Sequence, residues 1–67
     1  MLTPKQVEDA VQKVRDRSGD DEGAHSEEDA LHKLVLRAIA DGNCAEPERC
    51  AALALTTEEI EFERWCA

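Results

Sequence analysis

Three cysteines, two histidines and sixteen acidic side chains are the groups of this 67-residue chain that could do chemistry. His25, Glu28 or Asp29, and His32 fall on one side of a helical stretch, and Asp29 with His32 has the D-x-x-H spacing that inward-facing carboxylate metal sites use. Cys44, Cys50 and Cys66 could add thiolates. Against a metal, there is no CxxC, the five-residue gap between Cys44 and Cys50 matches no common zinc spacing, and two histidines cannot supply a paired di-metal site. Cysteine with histidine and acid is also the raw material of a thiol nucleophile. No local motif supports one, and a chain this short builds no deep pocket. The cysteines read as small apolar fillers and His32 as a histidine at the edge of the core. The expectation is a protein that is not an enzyme and carries no cofactor; a metal-binding helical protein is kept as one alternative.

The element that positions these groups is His25 to Asn43. Ser26 is placed as an N-cap, with Glu27, Glu28 and Asp29 in the first turn, where the helix dipole favours negative charge. Gly42 is placed as the C′ residue, where a positive φ costs glycine little. Glu28 with His32 and Asp29 with Lys33 are i, i+4 pairs in the favourable order. At about 100° per residue, Leu31, Leu34, Val35, Ala38 and Ile39 share one arc. Leu36 lies further round, and His32 falls between Ile39 and Leu36. An arc this wide predicts a central helix over about 26–41, packed on two sides. If Leu36 and His32 are exposed, they mark a partner surface.

The remaining chain supplies shorter elements. Thr3, Pro4 and Gln6 make a capping box with proline at the first helical position, and Leu2 with Val7 forms a staple. The spacing predicts helix one over about 4–17, with Val7, Ala10, Val11 and Val14 inward and Arg15 and Arg17 at its C-terminal end. Residues 18–24, SGDDEGA, read as an acidic linker without the ligand spacing of a calcium loop. Pro47 opens a short helix over about 47–54. Thr56 and Glu59 form a second capping box, with Leu55 and Ile60 as its staple, so a fourth helix is expected over about 57–64. Ile60 and Phe62 alternate with acids in a way that would also suit a strand; the cap favours helix. The fold class is therefore all-α, a single small bundle of three to four helices.

Residues 52–60 also have the apolar spacing of a helix-turn-helix. Its would-be reading helix carries Glu58, Glu59, Glu61 and Glu63 against Arg64 alone, whereas groove reading needs cationic donors. The formal charge of −8 opposes direct nucleic-acid binding and anionic membranes, and would steer the chain toward a basic protein surface. No signal sequence and no apolar run of membrane-spanning length is seen. An odd number of cysteines outside a secretory context reads as reduced thiols in the cytoplasm. A chain this short buries only about 60% of its unfolded surface, and it has one Phe, one Trp and no Tyr. A homodimer or a partner complex is therefore expected.

Two segments, Ala24-His25-Ser26-Glu27-Glu28-Asp29-Ala30-Leu31 continued by residues 35–42, VLRAIADG, and residues 54–57 with residues 60–67, IEFERWCA, resemble small acidic helical proteins of actinobacteria and their phages. The likeness covers about half of the chain and omits helix one. It implies a mobile-element setting, in which small acidic proteins act by binding a host or phage protein. It also implies His25, Glu28, Asp29 and Arg64 as interaction positions. The leading expectation is a non-enzymatic interaction protein that binds and modulates such a protein. The other alternative is a nucleic-acid mimic, in which carboxylates of the linker and of helix four, Glu58 and Glu61 among them, imitate phosphates.

Overall fold

A computed structural model of the chain describes residues 1–62. It contains three helices, α1 (Pro4–Asp16), α2 (Asp21–Ala40) and α3 (Pro47–Leu55), followed by a 3-10 turn at Thr56–Glu59. Each helix packs on the other two, and α1 also touches the 3-10 turn. The long axis of the molecule, 33 Å, is about the length of the 20-residue α2 at 1.5 Å per residue.

The start of α1 follows from its residue types. Thr3 is extended, its hydroxyl accepts from the Gln6 amide, and the Gln6 side chain accepts from the Thr3 amide. Val7, Val11 and Val14 are spaced to one side and all are buried. Leu2 packs partly against the same core. Its amide donates to the Asn43 carbonyl at 3.0 Å and its carbonyl accepts from the Ala45 amide at 2.7 Å, a single parallel bridge between Leu2 and Cys44. That bridge ties the N-terminus to the α2–α3 connection.

The end of α2 is as expected and its beginning is not. Gly42 has φ +67°, its amide donates to Ile39, and the Asn43 amide donates to Ala38. These two bonds form a Schellman motif. At the other end, the expected linker 18–24 is shorter: α2 begins at Asp21, with Asp20 as its cap and Ser26 exposed inside the helix. Asp20 Oδ1 accepts from the Gly23 amide at 3.2 Å, and Asp21 and Glu22 supply the first-turn negative charge. A helical glycine costs about 1 kcal/mol, but Gly23 leaves room for the Arg17 guanidinium. A Cβ there would sit 2.6 Å from Arg17 Nη2. Arg17 in turn lies 3.5 Å from Asp20 and 3.8 Å from Glu27. Burial of Ala24 carries the packed stripe back into this first turn.

The cap assignment has a direct check. Asp20→Ala is expected to cost about 1 kcal/mol, a fall in Tm of roughly 4–8 °C for a domain of this size. Ser26→Ala is expected to stay within about 0.5 kcal/mol. Thermal melts followed by circular dichroism distinguish the two, and the reverse ranking would restore Ser26 as the cap.

The expected fourth helix over 57–64 is not formed within residues 57–62. The reason is where the threonine hydroxyls go. Thr56 Oγ1 donates back to the Leu53 carbonyl at 2.6 Å, and Thr57 Oγ1 to the Ala54 carbonyl at 3.0 Å. Both thus satisfy carbonyls freed at the end of α3, and no side-chain hydrogen bond caps the start of the turn that follows. The chain tightens into a 3-10 turn and is extended at Ile60 (φ −82°, ψ 126°). The staple is split as well, with Ile60 buried and Leu55 exposed. The second helix of a helix-turn-helix is therefore absent from the described residues. Glu63, Arg64, Trp65 and Cys66 lie outside them.

One core forms where the three helices meet: Val7, Val11 and Val14 of α1, Leu31 and Val35 of α2, Cys50 and Ala54 of α3, and Ile60. The wide arc of α2 is closed only in part. Ala24, Glu28, Leu31 and Val35 form the buried stripe, while Leu34, Leu36 and Ile39 are exposed. Among the described residues, α1 and α3 cover one side of α2. By burial, α1 is as central as α2.

Candidate functional site

Val35 on α2 and Ala54 on α3 are buried, and between the two helices runs a groove of about 270 Å³ lined by His32, Val35, Leu36, Ala51, Ala54 and Leu55. Alanines at 51 and 54 leave α3 without bulk on this side, which opens the groove. Leu36 and Leu55 stand on its two walls at 66% and 56% exposure. Single exposed leucines are ordinary on a protein surface. Two facing each other across an apolar channel form one continuous patch, and such patches mark binding surfaces.

His32 closes one end of the groove. It is half-buried, with Nε2 3.0 Å from Thr57 Oγ1 and 3.2 Å from the Ala54 carbonyl oxygen. Because the Thr57 hydroxyl donates to Ala54, the triangle closes when Nε2 carries the ring proton and donates. The core-edge reading of His32 thus acquires a partner: the ring fastens α2 to the end of α3. Its imidazole turns across to α3, and no ion pair joins Asp29 to Lys33 among the described residues.

The other candidate positions are dispersed. His25 is half-buried near the start of α2, Glu28 is buried at 6% exposure on the inward stripe, and Asp29 points to solvent. Glu58 lies exposed on the 3-10 turn and Glu61 exposed in the extended segment after it. Arg64 lies outside the described residues. Only His32 and Leu36 meet in one feature. Among the described residues, no three His, Cys, Asp or Glu side chains converge as a metal site requires. No helix of these residues is long and apolar enough to cross a membrane.

Four residues escape sequence reading. Leu55 looks like a staple residue and becomes a groove wall. Thr57 looks like the first residue of a helix and becomes a fully buried hydrogen-bonding group. Cys44 and Cys50, whose spacing matches no common metal motif, converge on one carbonyl. The pair of adjacent threonines after an apolar helix end, able to bond back to i−3 carbonyls, is the one local signal for the second. Comparison of the chain with family models, with curated proteins and with solved structures finds no match.

Proposed function

We propose that this chain is a small acidic interaction protein whose α2–α3 groove receives an apolar side chain from a basic protein partner. The observation that carries this reading is the pair of exposed leucines, Leu36 and Leu55, over an apolar groove in a chain of net charge −8. Burying one leucine side chain against such a groove yields about 1.5–3 kcal/mol. Long-range attraction speeds encounter with a cationic surface. Glu58 and Glu59, both exposed on the turn that follows Leu55, supply negative charge next to one wall.

The test uses a lysine-rich amphipathic peptide with a leucine stripe, titrated into isotopically labelled protein. Amide shifts are expected to cluster at residues 32–36 and 51–55. Leu36→Ser is expected to weaken binding about tenfold or more, with the Tm little changed. A peptide of the same apolar pattern with glutamates for lysines is expected not to bind. Shifts spread over the acidic surface, insensitive to Leu36→Ser and lost steeply with salt, would overturn the groove reading in favour of charge mimicry.

A further inference from the structure

Cys44 and Cys50 are separated by five residues, and a fully extended chain would hold them about 20 Å apart. In the fold they converge. Cys44 Sγ lies 3.7 Å and Cys50 Sγ 3.2 Å from the same Ala45 carbonyl oxygen. What brings them together is Glu46, the one non-glycine residue among those described with a positive φ (φ 51°, ψ 62°). A left-handed residue without glycine is uncommon. Here it reverses the chain before Pro47, so that Cys44 folds back over the first turn of α3. The two sulfurs differ in access: Cys44 is half-buried, whereas Cys50 is fully buried in the core.

We propose that Cys44 and Cys50 are a redox-active thiol pair that closes reversibly to an intramolecular disulfide when a peroxide oxidises Cys44. The accessible Cys44 thiolate attacks one peroxide oxygen. The O–O bond breaks, the leaving oxygen departs as water (or as an alcohol from an alkyl peroxide), and Cys44 becomes a sulfenic acid. Cys50 sulfur then attacks Cys44 sulfur; the S–O bond breaks, and the hydroxyl leaves as water with the Cys50 proton. Two electrons pass from the sulfurs to the peroxide. The two sulfurs already share one oxygen, and the disulfide requires them to close to the bonding distance of about 2.05 Å. Burial holds the Cys50 thiol above its ordinary pKa, and the neighbouring Cys44 and Glu46 add to it. That suits Cys50 as the second, protected sulfur rather than the first oxidised. Because Cys44 is also bridged to Leu2, the disulfide would link the N-terminal bridge covalently to α3.

The test uses the full chain carrying Cys66→Ser, so that the third thiol does not compete, treated with equimolar hydrogen peroxide. The expected product is a monomer lighter by two hydrogens, with neither Cys44 nor Cys50 alkylated after denaturation and both recovered by dithiothreitol. With Cys44→Ser added, Cys50 is expected to remain a free thiol under the same treatment. Cys44 trapped by dimedone or driven to sulfinic acid while Cys50 stays free would overturn the proposal. So would a disulfide between two chains, or Cys50 oxidised at the same rate without Cys44.

Discussion

Leu31→Ala is expected to cost 2–5 kcal/mol, the range for removing a leucine side chain from a packed core with incomplete collapse. Leu31 is 3% exposed where α2 meets the valines of α1. A chain of this length has roughly 3–10 kcal/mol of total stability, so this one change removes much or all of it, and a large part of the molecules should be unfolded at 25 °C. Leu34, three residues on, belongs to the same apolar arc in sequence but is 50% exposed. Leu34→Ala is expected to cost under about 1 kcal/mol. Urea titrations of both variants decide whether the buried stripe is as narrow as described. Equal costs at every protein concentration would mean that the arc is closed within the chain. A Leu34→Ala cost that grows with protein concentration would instead show that a second copy covers it.

The second large effect belongs to Thr57. Replacing it with valine keeps the shape and removes the hydroxyl, which bridges His32 Nε2 and the Ala54 carbonyl at 3.0 Å each. Thr57 is fully buried, so no solvent replaces the lost group, and the expected cost is about 1–3 kcal/mol. The triangle of Thr57, His32 and Ala54 also predicts non-additivity. Once Thr57 is valine, His32→Leu is expected to cost less than in the original chain, by about 0.5 kcal/mol or more. A double-mutant cycle measured by chemical denaturation reads this coupling. Strict additivity would mean that the ring and the hydroxyl act separately, and that His32 does not fasten α2 to the end of α3.

The parts legible in the sequence are those whose causes lie within four residues of each other. The capping box of α1 is made as Thr3 and Gln6 predict, the Schellman end of α2 as Gly42 predicts, and α3 opens at Pro47. The two misread boundaries are competitions between local partners. Asp20 and Ser26 are both competent caps, and the burial of Ala24 and the seat of Arg17 over Gly23 favour the earlier one. Thr56 could accept an amide ahead or donate to a carbonyl behind, and it donates behind. The choice follows from where the chain must go next, since an extended Ile60 reaches the core.

Composition and short-range pattern alone therefore determine an acidic, all-α chain with two well-marked helix starts, one marked helix end and the valine stripe of α1. Helix geometry repeats within a few residues, and capping energies are local, so neither needs knowledge of the rest of the molecule. Which part of α2's arc is covered, that Leu36 and Leu55 face each other across a groove, that His32 finds Thr57, and that Cys44 meets Cys50 are decided only by tertiary structure. Each depends on residues distant in sequence or on one unusual backbone angle at Glu46. Their energies come from packing between elements, which no single stretch of the chain contains.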